Sequence, residues 1–166
     1  MKHMRIVVMG PSGSGKSEVG LRLARLLGTP FVDADDLHPA TNLEKMAAGI
    51  PLDDDDRMPW LALVGESLRD APALVVACSA LARRYRAGIL AVAPDARFVQ
   101  LTVPAEELAR RMAARTHFMP PALLSSQLAA WEPLGEDEPG VSVENAGVLD
   151  DVVAAIADAL ERQSLR

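Results

Sequence analysis

The sequence predicts one α/β domain built in three layers, a five-stranded, mostly parallel sheet flanked by helices. Three observations carry that expectation. Short β-branched runs alternate with longer stretches of helical spacing along the chain. A glycine-rich turn joins the first such run to the first helical stretch. The chain has 166 residues, 49% hydrophobic and 24% charged, which suits one domain of ~150 residues with its own core and excludes a disordered chain or a rod.

Taken in order, Arg5 to Met9 reads as a buried strand. Ser17 to Leu27 follows as a helix with Leu21, Leu23, Ala24 and Leu27 on its apolar face and Gly28 as C-cap. Pro30 to Asp33 is the second strand, followed by helices at Asn42 to Ala48 and Pro59 to Arg69. Ala73 to Cys78 and Arg97 to Thr102 are further strands, separated by a helix at Ala82 to Val92. Helices at Ala105 to Ala114 and Pro121 to Trp131, a strand at Val141 to Glu144 and a helix at Leu149 to Gln163 complete the chain. There is no internal repeat or low-complexity linker. The densest breaker region, Thr116 to Gly140, reads as an excursion from the sheet: either a mobile lid, over about 115–140, or an ordinary surface loop.

Charge and composition narrow the function classes. Lys and Arg total 17 against 23 Asp and Glu, a formal charge of -6, so no global basic field exists to collect phosphate contacts along a duplex. Nucleic acid is not expected as a partner. The lone cysteine, Cys78, forms no intramolecular disulfide and anchors no cysteine-based zinc site, which favours a reducing cytoplasm. The apolar runs fall far short of the ~20 residues that cross a bilayer, and Ile6 to Met9 is shorter than the ~7 residues of a signal-peptide core. No membrane association is expected. Met1 to His3 are set aside from the fold argument, Met4 being an alternative start.

The chemistry begins at Gly10-Pro11-Ser12-Gly13-Ser14-Gly15-Lys16-Ser17, which matches G-x-x-x-x-G-K-[ST] between a strand and a helix. Glycines let successive N–H groups turn inward as an anion nest, and the helix start adds its positive dipole end. Lys16 supplies a point charge for the β- and γ-phosphates, and Ser17 a hard oxygen ligand for Mg²⁺. Neither asparagine, Asn42 or Asn145, is followed by lysine, so a guanine-reading Asn-Lys-x-Asp is absent and ATP is the expected nucleotide.

Strand two ends in Asp33-Ala34-Asp35-Asp36-Leu37-His38-Pro39. Ligands gather at the carboxyl ends of strands in open α/β sheets, so these carboxylates should face the nucleotide crevice. On extended backbone Asp33 and Asp35 would point the same way, one toward hydrated Mg²⁺ and the other toward an acceptor hydroxyl. Asp53 to Asp56 reads as a solvated face or as helix N-terminal charge, whereas Arg57 offers a guanidinium for a substrate carboxylate or phosphate. Arg110, Arg111 and Arg115 lie at the threshold of the excursion. Arg111 and Arg115 either close over the γ-phosphate or complement a helix dipole. His117 is a candidate ligand or hinge contact, although a lone loop histidine is more often neither, and Cys78 reads as core.

Longer blocks then resemble a family. His38-Pro39-x-x-Asn42-x-x-Lys45-Met46-x-x-Gly49-x-Pro51-Leu52, Asp54-x-Asp56-Arg57-x-Pro59-Trp60-Leu61 and Cys78-Ser79-Ala80-Leu81 with Tyr85-Arg86 are similar to the bacterial-type gluconokinases. Arg111-x-x-x-Arg115-x-His117-Phe118-Met119 and Ser126-Gln127 extend the likeness, which runs from residue 10 to about 135. Ala34 and Trp131 depart from the pattern, standing where glycine and leucine are common. The resemblance implies a P-loop kinase fold related to shikimate kinase, with a small lid, and ATP-dependent phosphorylation of D-gluconate to 6-phosphogluconate. It implies that Asp33 helps position Mg²⁺ and that Asp35, His38 and Arg57 bind the sugar acid. It further implies that Arg111 or Arg115 reaches ATP from the lid, Arg115 and Lys16 absorbing developing charge while Asp35 orients or deprotonates the hydroxyl. It also leans toward a homodimer. A kinase for another hydroxy acid such as shikimate, or a non-catalytic ATP-binding module, are the alternatives.

Overall fold

A computed structural model of the chain describes residues 3–114 and 121–165. Arg5–Met9 (β1) leads into the helix Lys16–Leu27 (α1), then Phe31–Asp33 (β2), a 3₁₀ turn at Ala34–Leu37, and the helices Ala40–Ala47 (α2) and Asp54–Asp70 (α3). Leu74–Ala77 (β3), Arg83–Val92 (α4), Arg97–Thr102 (β4), Ala105–Ala113 (α5), Pro121–Ala130 (α6), Gly140–Glu144 (β5) and Leu149–Ser164 (α7) follow. The five strands form one sheet in the order β2-β3-β1-β4-β5, and each pairing is parallel. Central β1 therefore carries its following loop to the carboxyl edge of the sheet, where open α/β folds gather ligands.

Alternation along β1 creates the three layers. Val7 and Met9 face one core with Val76, Phe98, Trp60, Leu61 and Leu68, covered by α3 and α4. Ile6 and Val8 face the other, with Val75, Val99, Leu101 and the apolar sides of α1 and α7. Strands buried on both faces read as continuous apolar runs, which is why β1 and β3 were visible in the sequence. Cys78, just past β3, is buried in the first core. Its thiol is pushed up to about 12 by desolvation.

Two elements depart from the sequence expectation. Helix α3 begins at Asp54 rather than Pro59, because Asp53 and Asp56 form a reciprocal capping box. The Asp56 N–H donates to Asp53 Oδ1 at 2.8 Å, and the Asp53 N–H to Asp56 Oδ2 at 3.1 Å. Pro59 sits inside the helix, past its first turn, where it leaves the Asp55 carbonyl without its i+4 donor. The extended run proposed for Asp33 to Asp35 is broken by the 3₁₀ turn, with Asp33 as its cap. The end of the breaker-rich excursion is fastened to the body. Arg86 and Glu138, with side chains 0% and 5% exposed, pair through Nε–Oε1 at 2.9 Å and Nη2–Oε2 at 3.0 Å. The Leu134 N–H donates to Gln100 Oε1 at 2.6 Å and the Glu132 N–H to the Leu81 carbonyl at 2.7 Å. Arg115 and His117 lie outside the described residues.

Candidate active site

The loop after β1 is shaped to receive an anion. Gly15 caps α1 in the left-handed region at φ 87°, and no side chain caps the helix. The first-turn amides of α1 are thus left for a ligand, at the positive end of the helix dipole. Side chains elsewhere crowd the loop from behind. Asn145 Nδ2 donates to the Ser14 carbonyl at 2.7 Å, and a Cβ on Gly15 would collide with that amide. A Cβ on Gly10 would overlap Ser14 Oγ, which is buried with no hydrogen-bond partner among the described residues. Both positions require glycine for space as well as for backbone angle.

At the loop's end, Ser17 Oγ donates to Asp33 Oδ2 at 2.8 Å, while Asp33 Oδ1 accepts from the Asp35 N–H at 3.0 Å. The two sites assigned to Mg²⁺ are therefore adjacent, but the Asp33–Asp35 relationship is a cap rather than parallel side chains on a strand. A hydroxyl and a carboxylate are hard oxygen donors that fit Mg²⁺. Among the described residues no group of three or more His, Cys, Asp or Glu could cage a metal. The donor set thus suits an ion that keeps several waters and binds substrate phosphates, the ordinary habit of Mg²⁺.

The wall beyond Asp35 is built from the 3₁₀ turn, α2, α3 and α4. Trp60 Nε1 donates to the Ala34 carbonyl at 2.7 Å and its indole stacks on the His38 ring, centroids 4.1 Å apart. Buried Asn42 spends its amide N–H groups on His38 Nδ1 at 3.2 Å and the Asp56 carbonyl at 3.0 Å. With Nδ1 accepting, the neutral ring carries its proton on Nε2. Burial lowers the His38 pKa and the Arg57 charge lowers it further, outweighing the Asp35 carboxylate, so the ring is neutral at pH 7. Asp35 opens to the cleft, yet the protein walls that displace water around it raise its pKa, against the downward pull of Lys16.

Arg57 Nη1 donates to the Tyr85 hydroxyl at 2.8 Å, and that hydroxyl donates to Asp54 Oδ1 at 2.7 Å. Arg84 clamps the same carboxylate at 2.8 Å and lies over the Tyr85 ring. Asp54 is lowered to about 2 by its bond from Arg84 and then by that from Tyr85. Among the described residues no carboxylate pairs with Arg57, which keeps its fork for a ligand. Lys45 meanwhile holds Asp56 at 2.7 Å and so fixes the start of α3.

On the other side of the loop, Arg111 Nε donates to Glu107 Oε1 at 3.1 Å and its Nη2 to the Asn145 carbonyl at 3.0 Å. Arg111 thus stands beside Gly15, at a cleft of about 380 Å³ lined by Pro104, Glu107, Asn145, Ala146 and Gly147. Arg110 instead pairs with Glu107 on the surface. The sequence reading missed Asn42, Trp60 and Tyr85 as site builders, although each stands in the motif blocks. It also missed Asn145, for which no local signal exists.

A nest at the carboxyl end of a central parallel strand, an adjacent hydroxyl–carboxylate pair and a neighbouring wall of polar side chains define a P-loop phosphotransferase acting on small molecules. A family profile described as "AAA domain" matches residues 6–118. The gluconokinase of Gluconobacter oxydans is 45% identical, over 86% of this chain and 83% of its own. A gluconokinase structure from Sinorhizobium meliloti superposes with a TM-score of 0.88 at 45% identity, covering 99% of this chain and 97% of that one. The chain belongs to the gluconokinase family. Shikimate kinase from Acinetobacter baumannii, at 20% identity and a TM-score of 0.68, shares the fold alone.

Proposed function

We propose that this chain transfers the γ-phosphoryl group of ATP to the terminal hydroxyl of D-gluconate, giving ADP and 6-phosphogluconate. The observation that carries the reading is the grouping of Asp35, neutral His38 and carboxylate-free Arg57, with His38 feeling both neighbouring charges and Asp35 feeling that of Lys16 in the P-loop. A sugar acid offers that cleft an anion for Arg57 at one end and hydroxyls for Asp35 and His38 along its length. The family relatives named gluconokinase support the same substrate.

In this reading the amides of Gly13 to Ser17 and the Lys16 ammonium hold the β- and γ-phosphates, and the cleft beside Arg111 and Asn145 takes the adenosine. Ser17 and Asp33 would hold Mg²⁺, which would supply positive charge to offset that of the phosphates. Asp35 accepts the proton of the acceptor hydroxyl as its oxygen bonds to phosphorus and the β–γ bridging bond breaks. Lys16 and a lid arginine, Arg111 or Arg115, stabilise the charge that moves onto the departing ADP. We place the lid within about 115–140, of which the end, 132–138, is bonded to the body. We further place the protein in the cytoplasm as a homodimer, which sedimentation of the purified chain would test.

The test is ADP formation with ATP and Mg²⁺ in the presence of gluconate, shikimate or no acceptor. Gluconate-dependent turnover, with the others at background, is the expected result. A shikimate-dependent rate would assign a different hydroxy acid, and binding of ATP with no acceptor-dependent rate would make the chain a binding module.

A further inference from the structure

One contact across the site has no role in the reading above. Gln127 of α6 places its side-chain carbonyl 3.0 Å from the backbone N–H of Ser12, inside the phosphate-binding loop. That N–H lies ahead of Lys16 and outside the first turn of α1. A primary amide has one acceptor oxygen and two N–H donors in a rigid plane. With Oε1 held by the loop, Nε2 is carried beside it on the same rigid plane, and its two hydrogens have no acceptor among the described residues.

Just past the helix that carries Gln127, the partly buried Trp131 packs against the core cluster that contains Met9, Ala34 and Trp60. The Glu132 N–H then ties the chain to Leu81 at 2.7 Å. The amide is therefore held by the loop through its oxygen, and the chain just after its helix is tied to the body.

We propose that Gln127 is a catalytic residue: Oε1 stays on the Ser12 N–H while Nε2 donates to an equatorial oxygen of the phosphoryl group in flight. This rests on the phosphotransfer reading given above. A neutral amide suits the task, because pre-aimed donors stabilise charge developing on those oxygens without requiring another buried cation. The competing role is a clasp that only holds α6 to the loop.

Gln127→Glu separates the two, since a carboxylate keeps the acceptor for Ser12 and the size of the side chain but replaces both donors with negative charge facing the phosphoryl group. The expected result is a kcat roughly 100- to 1,000-fold below that of the parent chain, with the gluconate KM, the ADP affinity and the melting temperature nearly unchanged. Affinity for ADP with fluoroaluminate, which mimics the planar phosphoryl group, should fall by a similar factor. Gln127→Met, which removes both interactions at similar volume, should also lose turnover. Parent-like kcat in either variant overturns the proposal, as does a loss of plain ADP affinity equal to the loss of kcat, because ADP lacks the γ-phosphoryl group that Nε2 would meet. A parent chain with no gluconate-dependent turnover overturns the function itself, and this inference with it.

Discussion

The Arg57 guanidinium is held by the phenol of Tyr85 at 2.8 Å, and the same phenol is held by Asp54 at 2.7 Å. Arg57 is thus aimed before any ligand arrives. Arg57→Lys should raise the gluconate KM by roughly ten- to a hundred-fold, the equivalent of losing one arm of a charge-assisted pair at ~1.5–3 kcal/mol, with little effect on the KM for ATP. Tyr85→Phe removes the aim but not the charge and should raise the gluconate KM by only about two- to tenfold. Steady-state kinetics on both variants checks this ranking; an ATP-specific defect in Arg57→Lys would move Arg57 to the nucleotide site.

Lys16 is expected to act mainly on charge that grows as the β–γ bond breaks. Lys16→Ala should cut kcat by roughly 100-fold or more while circular dichroism shows an intact fold. Ser17→Ala should shift the Mg²⁺ dependence of turnover to higher concentration, since it removes one of the two hard oxygens at the 2.8 Å pair. Titrating Mg²⁺ against rate in the presence of a chelator measures both.

Asp35 has its pKa raised by the surrounding protein, with Lys16 opposing. The acidic limb of kcat/KM should therefore lie above the ordinary carboxylate range, and Asp35→Asn should abolish both that limb and most of the turnover. The linkage to stability follows the same sign. A folded pKa above the unfolded one means that the folded state binds more protons between the two values, so this group's contribution declines as pH rises through that window. At neutral pH the melting temperature of Asp35→Asn should equal or exceed that of the parent chain. A marked fall would show the carboxylate to be a stabilising partner instead.

The Arg86–Glu138 pair makes a different prediction because both side chains are almost wholly buried. Burial alone would raise the Glu138 pKa, but the bond from Arg86 and the backbone N–H of Gly135 outweigh it and hold the carboxylate low. Glu138→Gln strands the guanidinium in the core and should cost about 3–5 kcal/mol, read by denaturant unfolding. Stability should also fall as pH drops through the depressed Glu138 pKa, the window in which the folded carboxylate is forced to protonate. An unfolding free energy within about 1 kcal/mol of the parent would place Glu138 among surface pairs.

Much of this was legible in the chain. The strands β1 and β4 fall where their apolar runs do, and the nest, Lys16, Ser17 and Asp33 are written as a contiguous motif and one strand end. What escaped depends on partners distant in sequence. Asp33 caps a turn, which period-two spacing cannot reveal, and α3 starts early because Asp53 and Asp56 bond to each other across a turn that Pro59 appeared to open. Tyr85 and Asn145 acquire roles only when α4 and the loop after β5 are brought to α3 and the P-loop. The prolines and glycines of the excursion allowed either a mobile lid or an ordinary surface loop, and did not show that an arginine from another helix fixes Glu138.

Cys78 turns the fold into its own clock. The chain contains a single thiol, and that thiol is buried at the carboxyl end of β3 with its pKa pushed up to about 12. An alkylating reagent needs both access and thiolate, so the native state should be inert and each labelled molecule should record one opening of the sheet edge beneath the nest. No engineered cysteine is required. The labelling rate in the unaltered chain, followed as ATP or gluconate is added, would report how strongly each substrate holds that edge closed.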